Sequence, residues 1–64
     1  MLGPGDVETI TARSSLATAH IVDGRPAAAV PLLQRALADS ERYLGPGHPL
    51  TQAVQDQLET VTRG

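Results

Sequence analysis

The sequence predicts an all-α fold: three antiparallel helices that make one full helix-turn-helix repeat and half of a second. Three observations predict it. Gly and Pro cluster at residues 3–5, 24–26 and 45–49 and almost nowhere else, so they cut the chain into three uninterrupted stretches. Within those stretches the apolar residues recur at helical spacing, and no segment sustains the period-two alternation of a strand. Finally, Leu2-Gly3-Pro4-Gly5 returns as Leu44-Gly45-Pro46-Gly47, and at the same 42-residue offset Thr9 matches Thr51, Leu16 matches Leu58 and Thr18 matches Thr60. A self-match at this period marks a repeat whose unit cannot bury its apolar face alone.

The first helix, α1, is expected over residues 6–23. Asp6 can accept an orphan backbone N–H of the first turn, Glu8 favours the positive end of the dipole, and Gly24 can take the left-handed conformation that ends a helix. The second, α2, is expected over 26–43, opening with Pro26 where a missing N–H costs nothing. Pro31 is discordant, because inside a helix it removes one hydrogen bond and crowds the carbonyl of Ala27; a tightened stretch from Ala27 to Pro31 is the expected accommodation. The third, α3, opens at Pro49 and is expected to run to about residue 62, with His48 as its N-terminal cap.

At 100° per residue α1 carries two apolar stripes, Val7, Ile10, Ala17 and Ile21 on one side and Ala12, Leu16 and Ala19 nearly opposite. A helix with two apolar sides needs two neighbours. Between them runs an uncharged hydroxyl stripe of Thr11, Ser15 and Thr18. On α2 one face collects Ala29, Leu33, Ala36, Leu37, Ser40 and Leu44, while Arg35, Asp39, Glu41 and Arg42 fall on the other side and read as a solvated charged surface. On α3 a single stripe remains, Leu50, Val54, Leu58 and Val61; the counterparts of Ile10, Ala17 and Ile21 have become Gln52, Glu59 and Arg63. That polar outer side is what a terminal capping helix presents, so the C-terminal end reads as finished. The N-terminal end does not, because Ala12, Leu16 and Ala19 have no neighbour within this chain.

Composition narrows the chemistry. In 64 residues with a net charge of −2 there is room for one domain, which buries roughly 60% of the surface its unfolded chain exposes. The chain has no Cys and no Lys, which removes disulfides, thiolate catalysis, zinc-thiolate sites, Schiff-base chemistry and the phosphate-loop lysine. Arg13, Arg25, Arg35, Arg42 and Arg63 form no basic stripe and Tyr43 is the sole aromatic, so nucleic acid is not an expected partner. No apolar run approaches the roughly 20 residues of a membrane span and the start is not a signal peptide, so a cytoplasmic chain with no membrane partner is expected. The Arg-only, Ala-rich composition resembles that of GC-rich bacterial sources.

No constellation of catalytic or metal-ligating type is visible, and neither a metal nor another cofactor is expected. His20 and His48 sit on different elements without ligand spacing, and His20 reads as filling an interhelical position. Ser14 and Ser15 lie outside any nucleophile motif, and the carboxylate pairs Asp6 with Glu8 and Asp56 with Glu59 lie at helix ends or on outer faces. The Leu-Gly-Pro-Gly segments join helix to helix and lack the ending of a phosphate loop.

With these residues in hand the chain resembles the tetratricopeptide repeat family, in particular its longer kinesin-light-chain-like variety. The resemblance rests on Leu16-Ala17, His20 where the family usually has an aromatic, Gly24, Ala29, Leu33 and Ala36-Leu37, together with the connector Leu44-Gly45-Pro46-Gly47-His48-Pro49. It implies one and a half repeats of an α-solenoid, acceptance of a proline early in α2, and protein binding along a groove lined by Thr11, Ser15 and Thr18 from α1 and by Gln57 and Thr60 from α3. The asparagine often found before the Leu-Ala pair is Ser15 here, and this face has no Lys or Arg to clamp a carboxylate terminus.

Two functional expectations follow. One is a non-enzymatic interaction module or scaffold, the C-terminal piece of a longer array, whose partner is another protein or peptide. The other is a structural fragment that self-associates, as a homo-oligomer or by exchange of helices. Both place Ala12, Leu16 and Ala19 at the contact.

Overall fold

In the computed structural model the described residues are Gly3 and residues 6–63. They form α1 (Val7–Val22), α2 (Pro26–Tyr43) and α3 (Pro49–Arg63), with no strand among the described residues. The sequence repeat Leu2-Gly3-Pro4-Gly5, apart from Gly3, lies outside them.

Each boundary has a local cause. Asp6 Oδ1 accepts the Glu8 N–H at 2.9 Å and starts α1. At its other end Gly24, at φ 77°, sends its N–H to the Ile21 carbonyl at 3.1 Å, and Arg25 sends its own to His20 at 2.8 Å. These two bonds are the paired 5→2 and 6→1 closure of a glycine-terminated helix. Gly45, at φ 94°, ends α2 in the same left-handed region, its N–H reaching the Ser40 carbonyl at 3.0 Å. His48 then caps α3, with Nδ1 accepting the Leu50 N–H at 3.1 Å.

The expected tightening near Pro31 lies earlier. The short i→i−3 bond runs from the Ala28 N–H to the Arg25 carbonyl at 3.0 Å, and α2 continues as α-helix from Pro26 through Pro31. Because Pro31 needs relief only over the turn just before it, a helix that begins at Pro26 has a single solvent-facing turn to adjust, and Ala27, Ala28 and Pro31 are all exposed.

The molecule measures 31 × 24 × 15 Å, so its thinnest dimension is little more than one helix diameter of about 10–12 Å. Its core is therefore a seam rather than a ball. Ile10 and Ala17 from α1, Ala29, Leu33 and Ala36 from α2, and Val54 from α3 are sealed from solvent, with Ile21, Leu32, Leu37, Leu44, Leu50, Leu58 and Val61 packed around them. Leu33 and Ile10 are the largest of the sealed side chains, each stabilising the fold by about 1.5 to 3 kcal/mol through burial. Val7, on the same stripe as Ile10 by spacing, is 47% exposed at the first residue of α1.

Asp39 departs from the charged outer surface expected of it. It is buried, and the Arg13 guanidinium of α1 binds its Oδ2 at 2.8 Å, while Arg35 approaches the same oxygen at 3.5 Å. Ser40, next to it, is sealed and donates to the Leu37 carbonyl at 3.0 Å. The physical reason is the width of the α1–α2 contact: it spans enough of α2's circumference to enclose Asp39, which a half-buried Arg13 then neutralises. Asp39→Ala removes a charge-assisted bond and strands Arg13, so unfolding in urea should show a loss of about 1 to 3 kcal/mol. Replacing both residues by Leu should restore most of that loss, since a packed apolar pair avoids the desolvation of two charges.

Candidate functional site

α1 and α3 lie side by side, held mainly through α2, and their direct link is polar. Gln57 of α3 reaches α1 with its carboxamide: its Oε1 accepts from Ser14 Oγ at 2.7 Å, and its Nε2 donates to the Ser14 carbonyl at 3.4 Å and to Thr18 Oγ1. Thr18 in turn donates to the Ser14 carbonyl at 3.1 Å, the i→i−4 back-bond available to a helical hydroxyl. One glutamine thus satisfies both of its polar ends on a single turn of α1.

Beside this link lies a cleft of about 360 Å³, lined by Ile21, Pro26, Gln57, Thr60 and Val61. Its walls come from the end of α1, the start of α2 and the last turns of α3, so the Schellman turn at Gly24 and the first-turn Pro26 are what bring Ile21 and Pro26 to the same opening. The lining is uncharged. A second, wider depression of about 570 Å³ is bordered by Ala19, His20, Val22 and Asp23, with Val22 82% exposed.

The groove residues named from sequence divide into two groups. Thr18 and Gln57 meet in a hydrogen bond, and Gln57 and Thr60 share the cleft. Thr11 and Ser15 are exposed and make no side-chain hydrogen bond among the described residues. Thr60 Oγ1 donates to the Asp56 carbonyl at 2.9 Å. Ser14, Ile21, Pro26 and Val61 were absent from the sequence-derived groove. Ser14 has a legible signal, since it lies one turn before Thr18 at the spacing that makes two side chains neighbours; Ile21 and Val61 sit on apolar stripes, which by spacing alone read as packing.

Ala12, Leu16 and Ala19 are all exposed, Leu16 at 51%, and they form a continuous strip on α1 away from α2. Their counterparts at the 42-residue offset are Val54, Leu58 and Val61, of which Val54 is sealed in the core and the other two pack against it. His20 is half-buried in the last turn of α1. Among the described residues no three His, Asp or Glu side chains gather to hold a metal, and no helix is long and apolar enough to cross a membrane.

The Gln57 link ties α3 directly to α1. Gln57→Ala should therefore lower stability by about 1 to 2 kcal/mol in urea unfolding, by loss of the bonds to Ser14 and Thr18. Faster amide exchange in the last turns of α3 than in α2 should accompany it.

The tetratricopeptide repeat family model matches residues 9–50, from the first turn of α1 through all of α2 to the start of α3. No curated protein and no solved structure matches the chain. Two antiparallel helices closed by a Gly24 turn, a seam of Ala17, Ala29 and Ala36 around Leu33, and a third helix laid against the second agree with that match, and the chain belongs to the tetratricopeptide repeat family.

Proposed function

We propose that the chain is a protein-binding module that receives a peptide or a partner's helix along the side shared by α1 and α3. The family is in general one of protein-interaction modules. The observation that carries the reading for this chain is the cleft between Ile21, Pro26 and Val61, which joins an apolar lining to the uncharged polar groups of Gln57 and Thr60. Apolar surface with a few fixed polar groups is the usual composition of a recognition site. Thr11, Ser15 and Thr18 extend that uncharged surface along α1. No catalytic role is assigned, and the reading places the module in a bacterial cytoplasm; the His48-Pro49 connector supports the kinesin-light-chain-like variety of the repeat.

Selection of a random displayed-peptide library against the chain tests this. Selected peptides should perturb the amide resonances of Thr18, Gln57 and Thr60, and Thr60→Arg, at an exposed position, should weaken them at least about tenfold, the equivalent of 1.4 kcal/mol. Peptides that perturb only other surfaces would remove the reading.

A second reading, self-association, is favoured by the 51% exposure of Leu16 between the exposed Ala12 and Ala19. The strip is the repeat counterpart of the one through which α3 packs on α2, so a helix from a preceding repeat or from a second copy suits it. Sedimentation equilibrium should show association that Leu16→Glu abolishes while helicity persists; a monomer at every concentration would rule out the second copy.

A further inference from the structure

The 42-residue offset pairs Ser14 with Asp56 and Thr18 with Thr60, and the two helices share a detail of geometry as well as of sequence. Thr18 Oγ1 donates to the Ser14 carbonyl at 3.1 Å; Thr60 Oγ1 donates to the Asp56 carbonyl at 2.9 Å. In each case the hydroxyl proton is committed to the turn before, which leaves the threonine oxygen as an acceptor. On α1 this step is occupied: Gln57 docks there by donating to Thr18 Oγ1 and to the Ser14 carbonyl. On α3 the same step is exposed, and Asp56 makes no side-chain hydrogen bond or ion pair among the described residues.

The one chemical difference decides what the α3 step can hold. Ser14 supplies a hydroxyl donor, which binds the Gln57 Oε1 at 2.7 Å. Asp56 supplies a carboxylate, which accepts only. A glutamine placed there would set its carbonyl oxygen against that carboxylate, whereas every atom of the step, the carboxylate, the Asp56 carbonyl and the Thr60 hydroxyl oxygen, complements a side chain that only donates. Guanidinium is such a group, and its planar fork can serve a carboxylate and a neighbouring acceptor together.

We propose that Asp56 and Thr60 form a docking notch for an arginine carried on a partner protein's helix, which lies against α3 as α3 lies against α1. The proposal rests on the protein-binding reading above; Thr60 also borders the cleft, while Asp56 lies outside the cleft lining, and the notch specifies a basic partner for a chain whose net charge is −2.

The test uses the full chain and synthetic peptides copying Pro49–Arg63, with Gln57 kept, Gln57→Arg or Gln57→Ala, titrated at low salt and followed by amide resonances. The arginine peptide should bind about three- to fivefold more tightly than the alanine peptide, the scale of one exposed ion pair, and should shift Asp56, which does not line the cleft. In the Asp56→Ser protein, which restores the hydroxyl found at Ser14, the preference should pass to the glutamine peptide. Equal binding of the arginine and alanine peptides, an unchanged preference after Asp56→Ser, or no saturable shift would each overturn the notch. Library-selected peptides that still perturb Thr18 and Gln57 in Asp56→Ser would show that the cleft reading survives that failure.

Discussion

The fold depends on the close approach of α1 and α2 at positions too small to keep them apart. Ala17, Ala29 and Ala36 are all sealed, and their lack of bulk leaves room for Ile10 and Leu33 to fill the space between the helices. Helix separation follows the side chains at the contact, so a larger residue at any of the three would push the axes apart and unseat both anchors. A layer one helix thick has no spare apolar volume with which to repair such a shift.

That thinness also explains where polar residues enter the structure. With so narrow a seam, the edges of each contact are finished by side chains that bring their own partners: Arg13 with Asp39 between α1 and α2, and Gln57 with Ser14 and Thr18 between α1 and α3. Each link adds direction to a contact that apolar packing alone leaves free to slide. Thr51 is the exception, sealed at the start of α3 with no partner for its hydroxyl among the described residues. A sealed hydroxyl without a partner is a local cost of about 1 to 3 kcal/mol.

The surfaces left over follow from the same geometry. Because α3 meets α2 with Val54, Leu58 and Val61, its polar side is turned outward, and the cleft opens where the end of α1 and the start of α2 diverge from it. Because α1 meets α2 with Ile10 and Ala17, its second apolar strip stays in solvent. The protein-binding reading and the self-association reading are two consequences of one arrangement in which three helices offer more packing faces than they can use.

Much of this was legible from residue types whose effects are local. Asp6, Gly24, Pro26, Gly45 and His48 act on backbone groups within a few residues of themselves, so the helices and turns could be read directly, as could the stripe that carries Ala29, Leu33 and Ala36. The strip Ala12, Leu16 and Ala19 was legible too, as a second apolar stripe at 100° per residue with no neighbour in the chain. What only the tertiary structure decided is which side chains meet across helices. Asp39 is charged and falls off the apolar stripe of α2, yet the α1–α2 contact encloses it; Ser14 and Gln57 are 43 positions apart, and no periodicity within either helix announces their bond. Periodicity reports the face a residue occupies, whereas burial and pairing depend on how far the neighbouring helix reaches around that face, a quantity set by crossing and separation that no single helix encodes.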